Sequence, residues 1–348
     1  MAALLSSGPT GRAPLRDTVD VTETRTSTIA VNGVDLVVHE AGTVGNPIVV
    51  LSHGFPELAY SWRHQMAPLA AAGYHVIAPD QRGYGHSTAP SAIDAYGTDS
   101  LTGDLFGLLD HYGHDDAVFV GHDWGSMVVW EAARHQPERV RAVVGVSVPY
   151  VEWPGPPTQL MQMVYGDRFF YILYFQQVGP PEAELGADAG VTMSHMLYGA
   201  SGAATAGREM PTELPPMEGT GFLTMMPTPP ATPYTGPEGA WLTDADLATY
   251  SAEFAHSGFF GPVSWYRNLD ANALRATGLG ADRLTMPSYF ITGEVDVVRL
   301  MDPTGPERMR GALPDYRGET IIPASGHWVQ QETPAAFNDA LLGFLRTL

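Results

Sequence analysis

Asp123 lies in the run Val118-Phe119-Val120-Gly121-His122-Asp123-Trp124-Gly125-Ser126-Met127-Val128-Val129-Trp130, where an apolar strand pattern gives way to a helix pattern. Small residues flank the Asp on both sides. A strand that turns directly into a helix needs them, because the two elements approach closely and the residue at the apex is strained. Asp123 therefore occupies the apex of a nucleophile elbow, the place where Ser is more familiar. A bare Gly-x-Asp-x-Gly is usually a loop; its position directly after a strand favours the nucleophile. The residue type sets the reaction. A carboxylate is anionic near neutrality and attacks a saturated carbon without help from a base. The product is an alkyl ester, which water can cleave, whereas the same attack by Ser would end in a stable ether.

An elbow nucleophile is followed along the chain by an acid and then a His. Ser325-Gly326-His327-Trp328 supplies the His, in a loop after a short β-rich run and before a closing helix. Ser288-Tyr289-Phe290-Ile291-Thr292-Gly293-Glu294-Val295-Asp296 ends a strand with two carboxylates. Asp296 is the preferred orienting acid and Glu294 the alternative. His327 then activates the water that cleaves the ester, while Asp296 fixes its tautomer and supports its charge. Leu51-Ser52-His53-Gly54-Phe55-Pro56 follows an earlier strand, and the Phe55 N–H can join the Trp124 N–H in an oxyanion hole. His53 and Pro56 are read as shaping that loop. His111 and His114 close a helix beside Asp115 and Asp116, a spacing that more often marks a solvated cap than a metal site. No metal and no cofactor is expected.

These residues need a rigid frame. Two alternating runs around Asn32-Gly33 predict a tight hairpin. Strand patterns follow over 47–52, 74–79, 117–121 and 139–147, interleaved with helix patterns over 62–72 and 99–112. That alternation predicts a mostly parallel sheet covered by helices on both faces. The pattern breaks at Pro149-Tyr150-Val151-Glu152-Trp153-Pro154-Gly155-Pro156-Pro157 and resumes with strands at 288–292 and 319–322 and a helix at 334–345. The expected organisation is a loosely ordered leader over 1–25, core over 26–150, a helical cap over 151–275 and core again over 276–348. Within the cap, helix patterns cover 159–177 and 244–256. The stretch 199–240, crowded with Gly, Pro, Met and Thr, reads as a long mobile excursion.

Composition narrows the partners. The 348 residues carry a formal charge of −20, which repels a phosphate backbone, so nucleic acid is not expected. There is no cysteine, hence neither disulfide nor thiolate chemistry. No stretch is apolar enough for a membrane span or a signal peptide, and a cytoplasmic location is expected. A homodimer stays open.

With those motifs in hand, residues 28–348 resemble the epoxide hydrolases of the α/β-hydrolase superfamily. The resemblance is carried by His53-Gly54-Phe55-Pro56-Glu57, Asp80-Gln81-Arg82-Gly83-Tyr84-Gly85-His86-Ser87, Gly121-His122-Asp123-Trp124-Gly125 and Gly326-His327-Trp328. In the cap, Tyr171-Ile172-Leu173-Tyr174-Phe175-Gln176 and Gly258-Phe259-Phe260-Gly261-Pro262-Val263-Ser264-Trp265-Tyr266-Arg267-Asn268 resemble segments that carry substrate-activating tyrosines. By that match they are Tyr171 and Tyr266, with Tyr174 left to packing. The implied reaction is conversion of an epoxide to a vicinal diol through an alkyl-Asp ester. Two phenols suit it, since a protonated phenol can stabilise the alkoxide as the ring opens. The aromatic and Met-rich cap suggests an apolar or aryl epoxide. A haloalkane dehalogenase with the same Asp, and a ligand-binding fold without catalysis, are the alternatives. Phe55 gives a dehalogenase no second side-chain donor for halide.

Overall fold

The structure, a computed structural model, describes residues 21–207 and 213–348. Apart from 21–25, the expected leader lies outside them. The chain opens with β1 (Arg25–Val31) and β2 (Val34–Ala41), joined at Asn32 and Gly33 with φ of 46° and 78°. Left-handed conformation at both positions matches the twist of the flanking strands, which is why Asn-Gly stands there. Next come β3 (Ile48–Ser52), α1 (Arg63–Ala71), β4 (His75–Pro79), α2 (Thr98–Tyr112), β5 (Ala117–His122), α3 (Trp124–His135) and β6 (Val140–Val146).

Between β6 and the next core strand lies the helical insertion. It holds α4 (Pro157–Tyr165), α5 (Tyr171–Tyr174), α6 (Pro180–Gly186), α7 (Ala189–Gly199), α8 (Gly202–Thr205), the hairpin β7 (Tyr234–Gly236) and β8 (Gly239–Leu242), α9 (Asp244–Ser257), α10 (Phe260–Arg267) and α11 (Leu269–Arg275). The core then closes with β9 (Ser288–Gly293), α12 (Val297–Met301), α13 (Gly305–Ala312), β10 (Tyr316–Ile322), α14 (Val329–Glu332) and α15 (Pro334–Leu345).

The main sheet runs β1-β2-β4-β3-β5-β6-β9-β10. Within that sheet, among the described residues, only the β1–β2 and β2–β4 pairings are antiparallel. Every residue of β3, β4 and β5 is buried, as a parallel sheet covered on both faces requires. One face packs Leu105, Leu109, Val128 and Val129 of α2 and α3. The other packs Trp62 and Met66 against Phe337, Leu341 and Phe344 of α15. The strand ends that carry Ser52, His122 and Gly293 thereby sit side by side, and the loops leaving them open toward the insertion.

The insertion departs from the sequence reading in two respects. The pattern over 159–177 is two helices, because Gly166 turns left-handed at φ 57° after α4. The described parts of the stretch 199–240, which are 199–207 and 213–240, are not an unpacked excursion. They contain α8, a 3-10 turn at Leu223–Met225 and one strand of the hairpin. Phe222 and Tyr234 are buried, the Tyr234 hydroxyl pairs with Ser194 Oγ at 2.8 Å, and Glu184 accepts the N–H groups of Phe222 and Leu223. A few large anchors spaced among Gly and Pro hold the segment, and spacing of that kind leaves no period to read.

Candidate active site

Asp123 stands at the apex between β5 and α3 with φ 52°, a conformation that costs an L-residue energy and is held by what surrounds it. A Cβ on Gly121 would lie 2.1 Å from the Gly125 carbonyl oxygen, and one on Gly125 would lie 2.1 Å from that of Ser52. Glycine is required at both positions, so the strand, the helix and the end of β3 can close on one another. The Asp123 Oδ1 accepts the Phe55 N–H at 2.8 Å, and its Oδ2 lies 3.5 Å from His327 Nε2. The Trp124 N–H begins α3 and has no intrahelical partner.

His327 Nδ1 meets Asp296 Oδ1 at 3.0 Å. Asp296 is fully buried at the start of α12 and accepts the Val298 N–H at 2.9 Å as well. Burial would raise its carboxyl, but the charge and hydrogen bond of His327, with the Ser147 hydroxyl and the Val298 N–H, together outweigh that and hold it below the usual carboxylate range. Glu294 turns outward and accepts the Ala324 N–H at 3.0 Å, so of the two carboxylates Asp296 is the one on the ring. Burial would lower the imidazolium; the charge and hydrogen bonds of Asp296 and Asp123 outweigh it, and His327 titrates well above its ordinary value.

Across the cavity stand the two tyrosines. Tyr171 begins α5 and Tyr266 lies on α10; their rings are 5.9 Å apart and edge-to-face. Tyr266 also packs edge-on against Trp124 at 5.0 Å and Phe55 at 5.2 Å, tying the cap to both loops below it. Burial and the Asp123 carboxylate raise both phenols, which keeps them protonated as donors. Tyr174 turns away, and its hydroxyl donates to Glu184 at 2.8 Å. Asp123, His327, Tyr171 and Tyr266 line one cavity of about 410 Å³. Its other walls are apolar, with Phe169, Phe222, Met196, Met225, Met226 and Met301 among them. Among the described residues no cluster of three or more His, Asp or Glu could hold a metal ion.

Three buried residues next to this machinery were given no role by the sequence reading. Glu57 Oε2 meets His122 Nδ1 at 2.5 Å and accepts the Gly54 N–H at 3.0 Å, while His122 Nε2 meets the His327 carbonyl at 2.8 Å. Both His122 nitrogens face oxygen atoms, one on the Glu57 carboxylate and one on the His327 carbonyl. This pair braces the Phe55 loop and the His327 backbone together. An acid three residues after Gly54 and a His directly before the elbow Asp were the available signals. Glu332, five residues beyond His327, is the third, and nothing in its own segment marked it. His53 does shape its loop: Nε2 accepts the Gln81 N–H at 3.0 Å, and burial pushes the ring down to about 4.

Residues 47–334 match the family model described as the alpha/beta hydrolase fold. Epoxide hydrolase A of Mycobacterium tuberculosis is 45% identical over 91% of this chain and 96% of its own length. An epoxide hydrolase of Caballeronia sordidicola is 40% identical over 92% and 93%. Among solved structures, epoxide hydrolase A from Mycobacterium thermoresistibile superposes with a TM-score of 0.84 at 45% identity, covering 93% of this chain and 98% of that one.

Proposed function

The chain belongs to the epoxide hydrolases of the α/β-hydrolase family, and from that premise we infer how its own residues divide the conversion of an epoxide to a vicinal diol. Asp123 attacks a ring carbon through one carboxylate oxygen, and the C–O bond of the epoxide breaks. Tyr171 and Tyr266 donate to the oxygen as its negative charge develops, and one of them supplies the proton. The covalent ester that results is the family's intermediate. Water then attacks the ester carbonyl while His327 takes its proton, Asp296 supports the imidazolium, and the Phe55 and Trp124 N–H groups receive the charge on the carbonyl oxygen. On collapse the ester C–O bond breaks and the leaving oxygen takes the proton of the added hydroxyl, which releases the diol and restores the Asp123 carboxylate. The proton goes from His327 to the tyrosine that gave its own.

Electrostatics favours this order of events. The Asp123 anion helps raise His327 in the resting enzyme. Alkylation removes that charge, so the imidazole loses part of its reason to hold a proton at the moment it must act as a base.

The observation that carries the reading is the convergence of the elbow carboxylate, the His327–Asp296 pair and two phenols on one cavity. Among the described residues its remaining walls offer aromatic rings and thioethers and no further charge, which supports a neutral apolar or aryl epoxide as substrate. One turnover with excess enzyme in ¹⁸O-labelled water tests the mechanism. Label is expected in the Asp123 carboxylate; label only in the diol would refute a covalent ester.

A further inference from the structure

One carboxylate grips the His327 loop on both sides of the imidazole. Glu332, the last residue of α14, is 1% exposed. Its Oε2 accepts the Gly326 N–H at 3.2 Å and the Gly202 N–H at 2.8 Å, and its Oε1 accepts the Trp328 N–H at 3.1 Å. Gly326 and Trp328 flank His327 in sequence; Gly202 opens α8 in the cap. Burial, with a smaller push from the Asp296 charge, raises this carboxyl to about 7, and the three main-chain donors keep it from rising further.

The contact between cap and loop is closer than side chains allow. A Cβ on Gly326 would stand 2.2 Å from Gly202 N, and one on Gly202 would stand 2.5 Å from the Ala324 carbonyl oxygen. Beside it, the His327 N–H donates to the Ala200 carbonyl at 2.9 Å, and Trp328 Nε1–H donates to that of Leu197 at 2.6 Å. The same strap of cap, residues 196–202, faces the substrate: Met196 and Ala200 line the cavity. A Cβ on Gly199 would lie 2.8 Å from the sulfur of Met226, another lining residue.

We propose that Glu332 is a positioning residue for the hydrolytic half-reaction, locking the His327 loop to the cap strap so that the base is aligned on the ester only while the cap is seated over substrate. This rests on the reading of Asp123 as nucleophile and His327 as base. Ring opening uses the Asp123 carboxylate and two phenols, and Glu332 touches none of them. Water activation uses the imidazole, whose neighbouring N–H groups Glu332 holds. Its oxygens face main-chain donors and it does not line the cavity, so it acts through the loop and not on substrate. An amide cannot take its place, because its NH2 would point at an N–H donor.

The test separates the two half-reactions in the full chain. Glu332→Gln is mixed with excess styrene oxide, quenched at intervals, and the Asp123 peptide is weighed. Alkylation is expected to stay within about threefold of wild type while ester hydrolysis slows by about tenfold to a hundredfold, the scale set by small misplacements of a catalytic group. The alkyl-enzyme then accumulates during turnover. An equal fall in both steps, or no change in either, overturns the proposal. Gly202→Ala leaves Glu332 and the loop sequence intact but pushes the strap away, and the same selective slowing is expected. Should Glu332→Gln fail to fold, an unchanged ratio of the two rates in Gly202→Ala overturns the proposal instead. His327→Gln run alongside keeps the parent reading separate. Without an adduct there, the nucleophile reading itself fails; with one there and normal clearance in both other variants, only the role of Glu332 does.

Discussion

The wall of the cavity that carries Asp123, His327 and Asp296 and the wall that carries Tyr171 and Tyr266 are held in place by different means. On the core side, strand ends deliver the residues, glycines allow backbone to touch backbone, and buried carboxylates are held by main-chain N–H groups and by His122. On the cap side, Tyr266 sits among the edges of Phe55, Trp124, Tyr171 and Phe175, and Tyr171 adds Phe222, with no charged group in the cluster. Hydrogen bonds are directional and aromatic burial is much less so. In the proposed reaction a charge that attacks carbon and a base that must reach its ester need fixed angles, which the core side supplies. Two hydroxyls over a substrate need only the right depth, and an apolar wall can give that while its shape is varied for different epoxides.

Breaking the core side is expected to have the largest effect. Asp123→Asn should form no adduct and show no turnover. His327→Gln should still alkylate but fail to clear the ester, lowering steady-state diol formation by about 10²-fold to 10⁴-fold, the scale of a general base. Intact-mass measurement distinguishes the two, since only the His327 variant gains the mass of one substrate. Breaking the cap side should reverse the pattern. Tyr171→Phe combined with Tyr266→Phe is expected to slow ring opening over a similar range, about 10²-fold to 10⁴-fold, with no adduct build-up. Rapid-quench alkylation rates check this, and near-normal ring opening would remove both phenols from the mechanism.

The same contrast explains what could be read from the residues alone. Asp123, Asp296 and His327 were legible because each sits in a short motif at the end of a strand, and a parallel sheet puts those ends along one edge. Even the ambiguous Glu294 lay two residues from Asp296, and only the direction of its side chain decided between them. Tyr171 and Tyr266 are proposed on resemblance alone, since α5 is four residues long and has no period of its own. The packing of the described parts of 199–240 is not legible in the sequence because their buried anchors, Phe222 and Tyr234, are far apart in the chain. Glu332 could not be found: its cap partner is a glycine N–H distant in sequence, and main-chain partners leave no mark on composition.

Smaller effects sharpen the comparison further. Glu57→Gln removes the carboxylate buried against the His122 ring and the Gly54 N–H, and breaking a buried pair from one side costs about 3–5 kcal/mol. A lower thermal midpoint with impaired ester clearance is expected, and an unchanged midpoint would argue that the pair braces nothing. Asp80 tests the core–cap boundary. It is buried, and burial, with Glu253 across the boundary adding to it, pushes its carboxyl up to about 7, although the Ala59 N–H holds one oxygen. The folded state therefore keeps a proton that the unfolded chain loses near its ordinary value of 3.8, and Asp80 removes stability progressively as pH rises from there to about 7. Asp80→Asn keeps the acceptor for Ala59 and should be near neutral at pH 4.5 and stabilising at pH 8, by on the order of 3 kcal/mol. Paired melts of variant and wild type isolate this group from the histidines that titrate in the same window. An equal difference at both pH values would show that Asp80 is already ionised in the fold.

Tyr174→Phe is the smallest change and the most selective probe of the cap wall. Tyr174 lies one helical turn from Tyr171 on α5, yet its hydroxyl points to Glu184, which also accepts the Phe222 and Leu223 N–H groups. Glu184 thus gathers three donors and holds the 3-10 turn that brings Met225 to the cavity. Removing one of the three leaves the carboxylate with two, and a hydrogen bond to a charged group is worth about 1.5–3 kcal/mol net. Partial exposure of Glu184 puts the expected loss at the low end of that range. Alkylation and hydrolysis rates should both stay within about twofold, since this hydroxyl reaches neither the epoxide oxygen nor the ester. Loss of ring opening in Tyr174→Phe, with Tyr171→Phe unaffected, would exchange the two residues and move the oxygen-binding site one turn along α5.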